Sequence, residues 1–286
     1  MSLAVVHTIP QVRAAVREAR RAGRSIEFVP TMGALHAGHG SLIELARRSQ
    51  GYLVVSIFVN PIQFNQQEDY QRYPRTLEAD RDFCRARGVD LIFAPSIEEM
   101  YPEPQRTFVE VTGLTEHLCG RFRPGHFRGV TTVVAKLFAI VQPDRAYFGE
   151  KDAQQLAVVR RMVRDLNLPV EIVAGATVRE PDGLAMSSRN QRLSPDERRA
   201  AAAIYRALQA AGEQIRVGAA DPEVARRRAL EVLATEPLLR VEYLEVVDPL
   251  LIEPVQRIQD EVLVAAAVWA GSTRLIDNIR ARPQTH

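Results

Sequence analysis

The chain has only two cysteines, Cys84 and Cys119, with no CxxC spacing and no histidine pattern beside them. That excludes a disulfide framework and argues against a zinc site; two free thiols fit a cytoplasmic protein. Lysine is nearly absent, since all but Lys136 and Lys151 of the 37 basic residues are arginine. No apolar stretch reaches the roughly 18–20 residues that a bilayer-spanning helix needs. Residues 1–10 lack the basic-then-apolar layout of a secretory signal. Net charge is only +2 and aromatics only 6%, so nucleic acid and membrane are not expected partners. The run Arg226-Arg227-Arg228 reads as a solvated helix face. The glycine fingerprint GxGxxG is missing too, and with it the case for a plain dinucleotide-dependent dehydrogenase.

What is present is an ordinary globular composition, 46% hydrophobic and 25% charged over 286 residues. The length predicts one large and one small domain. Thr8 and Gln11 form a capping-box pattern before a helix to about Ala22. Apolar runs at 26–29, 52–59, 89–94, 145–148 and 170–173 alternate with helical stretches near 41–49, 76–87, 130–141 and 153–166. Continuous apolar runs suit strands buried on both faces of a parallel sheet. The expected fold is therefore α/β: a doubly wound, Rossmann-like parallel sheet over about residues 1–180. Beyond it the pattern changes. Ser194-Pro195-Asp196-Glu197 opens one long Ala-rich helix to about Ile215, and Asp221-Pro222-Glu223 opens another. Strand-like runs at 241–247, 261–269 and 273–279 follow, so residues 181–286 read as a small α+β domain.

Three polar segments each follow a predicted parallel strand: residues 30–39, 60–64 and 148–152. Ligands of open α/β sheets bind beyond the carboxyl ends of the strands, so all three are expected at one crevice. In the first, Gly33 and Gly38 permit a tight turn before a helix whose N-terminal amides suit an anion. His36 and His39, three apart, project to one side of a helical turn, as phosphate donors, as two ligands of a metal, or as incidental loop residues. Gly33 and Gly38 have the spacing of a Walker loop, but His39-Gly40 stands where Lys-Ser/Thr is required. Lys151, between Glu150 and Asp152, either balances surface charge or meets a shifting phosphate. Ser187-Ser188-Arg189 is by itself a plain polar loop.

Together these words carry a resemblance. His36-Ala37-Gly38-His39 resembles the HxGH element of the nucleotidylyltransferase and class I aminoacyl-tRNA synthetase superfamily, and Met186-Ser187-Ser188-Arg189-Asn190 resembles its mobile loop, with Arg189 as the cation. Longer words resemble the pantothenate synthetase family: residues 30–36, Asn60-Pro61-Ile62-Gln63-Phe64, Tyr73-Pro74-Arg75-Thr76, Arg123-Pro124-Gly125-His126-Phe127, residues 148–156 and 182–190, in family order. Two departures are Gly40, where the family usually carries a bulkier apolar residue, and Asn65, where Gly is common.

The resemblance implies an ATP- and Mg²⁺-dependent ligase that joins (R)-pantoate to β-alanine through a pantoyl adenylate, releasing AMP and pyrophosphate. It also implies a homodimer with small-molecule substrates only. The runner-up is a nucleotidylyltransferase of the same superfamily acting on another small substrate. Implied catalytic groups are His36, His39, Lys151, Ser187, Ser188 and Arg189, with His39 as proton donor. Implied ATP contacts run through Met32, Gly33, Ala34, Leu35, His36, Ala37, Gly38 and His39, then Gly149, Glu150, Lys151 and Asp152, then Val178 by its backbone and Met186 to Arg189. Gln63 and Gln155 are the implied pantoate residues, with β-alanine beside Gln63. Asp152 is the expected Mg²⁺ carboxylate.

Overall fold

The computed structural model describes residues 3–284. Its elements in chain order are β1 (Ala4–Val6), α1 (Ile9–Arg21), β2 (Ile26–Thr31), α2 (Ala37–Arg47), β3 (Tyr52–Ile57), α3 (Gln67–Gln71), α4 (Leu77–Ala86), β4 (Leu91–Phe93) and α5 (Ile97–Met100). There follow α6 (Leu118–Phe122), α7 (His126–Val141), β5 (Arg145–Gly149), α8 (Ala153–Asp165), β6 (Glu171–Gly175), α9 (Pro195–Ala201), α10 (Ala203–Arg216), α11 (Pro222–Leu233), β7 (Leu239–Val247), β8 (Val262–Ala270) and β9 (Thr273–Ala281).

The packing divides the chain into two compact units. The first holds the chain up to Val111 with Arg123–Glu150 and Val158–Ala176. The second holds Thr112–Phe122, Lys151–Ala157 and everything from Thr177 onward. A single boundary near residue 180 was expected. Its position lies close to Thr177, and two short earlier segments also pack with the second unit.

The first unit is a six-stranded parallel sheet in the order β1-β4-β3-β2-β5-β6. Side chains alternate along each strand. Val29, Leu53, Val55 and Ile92 pack against α2 and α4 residues Leu42, Ile43, Ala46 and Cys84. From the other face of β2, Phe28 meets Phe138 of α7 edge-on, centroids 6.4 Å apart. Helices on both faces make the sheet doubly wound, as expected. Full burial of Ile26 and Phe28 contributes about 1.5–3 kcal/mol each. Strand β1 went unnoticed in the sequence because three residues show no periodicity.

In the second unit β7, β8 and β9 form an antiparallel sheet. Helices α10 and α11 cover it through Ile204, Ala207, Leu208, Ala211, Ala225 and Leu233, which join Leu244, Val246, Val264, Val268 and Leu275 in one core. The long helix expected from Ser194 is two, broken at Ala202. Ala200, Ala201, Ala202 and Ala203 are all buried, and alanine's helix preference gives no hint of the break.

Candidate active site

Strand β2 has β3 on one side and β5 on the other, all parallel. The strand order therefore reverses at β2, the place where open α/β sheets bind ligands. Residues 30–39, 60–64 and 148–150 all lie at or just beyond the carboxyl ends of these parallel strands. Lys151 and Asp152, the end of the third expected segment, pack with the second unit.

The first segment turns sharply, with Gly33 at φ +84° and Ala34 at φ +52°. A Cβ on Gly33 would lie 2.9 Å from Asp80 Oδ2 and 3.0 Å from Ile57 Cγ2, so glycine is required. Asp80, only 2% exposed, accepts from the Ala34 amide at 3.0 Å and the Leu35 amide at 2.8 Å. Thr76 Oγ1 donates to the same carboxylate at 3.2 Å. This support offsets the roughly 1 kcal/mol that a left-handed non-glycine residue costs.

Helix α2 starts at Ala37, four residues earlier than the sequence suggested, and His36 is its N-cap. Gly38, read as part of the turn, and Gly40 both lie inside it, while Gly33 stays in the loop. His36 Nδ1 accepts from the Gly38 amide at 3.2 Å, and His39 Nδ1 accepts from the His36 amide at 3.3 Å. The pair is a capping box built from imidazoles, with ring centroids 4.2 Å apart. An amide N–H can only donate, so each Nδ1 is an acceptor and each neutral ring carries its hydrogen on Nε2. Two N–H donors thus stand at a helix N-terminus, where an anion is favoured. Gly40 is buried in α2; a Cβ there would meet Arg87 Nε at 2.9 Å and Phe83 Cζ at 3.2 Å. The guanidinium of Arg87 lies 3.6 Å from the Phe83 ring centroid, and the pair fills the space beside Gly40. At the other departure, Asn65 donates to the Pro124 carbonyl.

Gln63 is buried. Its Nε2 donates to Met32 Sδ at 3.1 Å, and its Oε1 accepts from Asn60 Nδ2 at 3.0 Å. Asn60 also donates to Gly129 O at 3.1 Å and accepts from Tyr101 Oη at 2.8 Å. The His126 ring is 2.7 Å from the Gln63 carbonyl oxygen. Burial pushes the Tyr101 hydroxyl up, well above the ordinary tyrosine value. Lys136, without a role in the sequence, holds its ammonium 4.8 Å from the Tyr101 ring centroid, and burial lowers its pKa. Asn60, itself held by Tyr101, and Met32 orient the Gln63 side chain, while His126 holds its main chain.

Gly149 and Glu150 end the β5 segment in the first unit; the second unit carries the other expected residues. Lys151 and Asp152 sit in a 3-10 turn; Lys151 Nζ is 3.9 Å from Asp152 Oδ1, the side chains 19% and 47% exposed. Ser187 caps a second such turn, Ser188–Arg192, by accepting from the Arg189 amide at 3.3 Å. The Val178 carbonyl accepts from the Met186 amide at 3.0 Å. Lys151, Ser187, Arg189 and Arg274 line one small cavity of about 10 Å³. Gln155 is half-buried. Its neighbour Gln154 is buried and donates to Leu114 O and His117 O at 2.9 and 2.7 Å. No group of three or more metal-ligating side chains gathers among the described residues. The half-exposed Asp152 carboxylate is a donor that fits Mg²⁺, which takes one or two carboxylates with substrate phosphates and keeps its waters.

A family model described as pantoate-beta-alanine ligase matches residues 4–280. The chain belongs to the pantoate–β-alanine ligase family. The pantothenate synthetase of Moorella thermoacetica is 53% identical over 275 residues, 96% of this chain and 97% of that one. The solved pantothenate synthetase of Thermus thermophilus superposes with a TM-score of 0.91 at 51% identity, over 96% of this chain and 98% of that one. A pantoate–β-alanine ligase from Francisella tularensis, solved with "Beta-gamma ATP" and β-alanine, gives 0.80 at 33% identity over 97% of each chain. As a pantoate–β-alanine ligase the chain is an enzyme of pantothenate formation. Sequence reasoning missed Asp80, Tyr101, Arg179, Asp277 and Asn278. Asp80 contacts a loop 45 residues earlier, and no local spacing announces that. Asn60 and His126 lie within the family motifs, where the sequence implies no role for them.

Proposed function

We propose that this pantoate–β-alanine ligase works in two stages. A carboxylate is a poor electrophile, so a pantoate carboxylate oxygen first attacks the α-phosphorus of ATP. The bond from that phosphorus to the bridging oxygen breaks, and pyrophosphate leaves. The β-alanine amine then attacks the carbonyl of the mixed anhydride, AMP leaves with the bonding pair, and the nitrogen loses a proton. Negative charge grows on phosphoryl oxygens throughout the first stage, so catalysis is positioning and cationic stabilisation.

The first unit supplies His36 and His39, each donating a hydrogen bond through Nε2–H to phosphate oxygens, His39 to the oxygen on which the leaving pyrophosphate gathers charge. It also supplies the backbone from Gly33 to Gly38, Met32 for adenosine, Gly149 and Glu150 beside the phosphates, and Gln63 for pantoate and β-alanine. The second unit supplies Lys151, Ser187, Ser188 and Arg189 for the triphosphate, Val178 and Met186 for adenosine, and Gln155 for pantoate. Asp152 would hold Mg²⁺, whose chemistry is charge neutralisation of the triphosphate.

The observation that carries this reading is the histidine capping box, which aims two N–H donors from a helix N-terminus with their tautomers set. A pantoate-dependent exchange of pyrophosphate into ATP, with AMP released only after β-alanine is added, is the expected result. AMP or pyrophosphate release without pantoate would sink it and favour another nucleotidyl transfer. We also assign the enzyme to the cytoplasm as a homodimer, as the family likeness of its motifs suggests; no helix among the described residues is long and apolar enough to cross a membrane.

A further inference from the structure

Asp277 and Asn278 are neighbours on β9, so their side chains leave opposite faces of the strand, and both are buried. Burying two such polar groups is costly unless both are hydrogen-bonded, and each is tied to a segment that the adenylating step uses. Asn278 Nδ2 donates to the main-chain oxygen of Lys151 at 2.9 Å. Asp277 receives Arg179 through both carboxylate oxygens, at 2.6 and 3.0 Å. Arg179 donates in turn to Gly183 O at 3.0 Å and to Asn278 O at 3.2 Å. Arg179 and Ala185 pair as an antiparallel bridge, and the Met186 amide closes onto Val178 O at 3.0 Å. Residues 178–186 therefore form a hairpin pinned to β9, and Ser187-Ser188-Arg189 follows it directly. Asp277 itself lines the small cavity shared by Lys151, Ser187 and Arg189.

We propose that Asn278 is a positioning residue for adenylyl transfer: its amide sets where the Lys151 main chain stands, while Asp277, through Arg179, sets the hairpin that delivers Ser187 and Arg189. The proposal rests on the assignment of Lys151 to the triphosphate. An ammonium on a four-carbon stem is a mobile point charge, and its value to a transition state depends on where it is held before charge develops. The 3-10 turn that carries Lys151 is three residues long. The Asn278 bond is an anchor from outside that turn. A displacement of about 1 Å at such a group costs on the order of 10²-fold in rate.

The test uses the full-length enzyme and pantoate-dependent exchange of pyrophosphate into ATP, with Asn278→Ala, Lys151→Ala and the double variant. Asn278→Ala is expected to lower kcat roughly tenfold or more while KM for ATP stays within about threefold. Added to Lys151→Ala, it is expected to change kcat by less than about twofold, because a residue that acts through Lys151 has nothing left to act on. A full multiplicative loss in the double variant overturns the positioning role and leaves Lys151 in the mechanism. Lys151→Ala alone within tenfold of the parent removes the underlying assignment instead. Asn278→Asp keeps the size and lacks the amide donor, so it is expected to repeat the loss if Asn278→Ala is too unstable to assay. Parental kcat in either variant, or loss of fold in both, overturns the proposal.

Discussion

His36 has two separable duties, because its Nδ1 caps α2 while its Nε2 faces away from that bond. Asparagine is as good an N-cap as any residue but offers no ring donor. Thus His36→Asn is expected to keep the melting temperature within about 2 °C and lower exchange turnover by roughly 10²-fold. His36→Ala is expected to lose the cap as well, about 1 kcal/mol. Calorimetry beside the exchange assay checks both, and an active asparagine variant would remove the donor role. Lys151→Ala keeps the fold and lowers turnover by about 10²–10³, the scale of one lost transition-state donor; steady-state kinetics within tenfold of the parent would contradict it. The scarcity of lysine made this residue conspicuous in the sequence. Its neighbour in space, Asn278, was invisible there because it lies 127 positions away.

At the scale of elements, the start of α7 lies directly on the Asn60–Gln63 turn. A Cβ on Gly129 would fall 2.6 Å from Gln63 Cα and still closer to the Ile62 carbonyl. Gly129→Ala must push that turn outward, and with it the amide of Gln63. The expected result is a KM for pantoate raised about tenfold with a smaller change in kcat; an unchanged KM would separate Gln63 from pantoate binding. Most elements were legible from periodicity and caps: α1 from Thr8 and Gln11, the buried strands from their apolar runs, β7 to β9 from theirs. Helix α2 was read late because Gly38 and Gly40 look like loop, whereas the histidine cap and the Arg87–Phe83 pair make the helix begin at Ala37. The break at Ala202 had no signal at all.

On the scale of the whole molecule, 35 acidic residues nearly balance 37 basic ones, so acid leaves a strongly cationic chain. Glu27, fully buried in β2, is one carboxyl that this change reaches. Burial pushes its carboxyl up, but hydrogen bonds from Arg145, Tyr147 and Ser25 outweigh that and hold its pKa below the ordinary value. Arg145 binds it at 2.6 and 3.0 Å and Tyr147 Oη at 2.7 Å. A carboxyl whose folded pKa is lowered contributes stability above its unfolded value, and loses it as pH falls through the folded one. Melting temperature is therefore expected to drop as pH falls below about 4.5. Glu27→Gln should unfold several degrees earlier at pH 7, through a loss of about 2–3 kcal/mol discounted because Arg145 is 32% exposed. It should also flatten the acid limb; an acid limb as steep as the parent's would clear Glu27 of the effect. The homodimer assignment is checked by light scattering, with a mass near twice 32.0 kDa expected.

By itself the sequence determined the strand and helix alternation and the family, because hydrophobic period, caps and contiguous motifs are local properties of a chain. Tertiary structure decided how the residues of those motifs are held. Asp80 bends the loop, two amides set the histidine tautomers, Asn60 and Tyr101 orient Gln63, and Asn278 anchors Lys151. Each of these acts across a distance in sequence that only folding closes, since a hydrogen bond is specified by position in space.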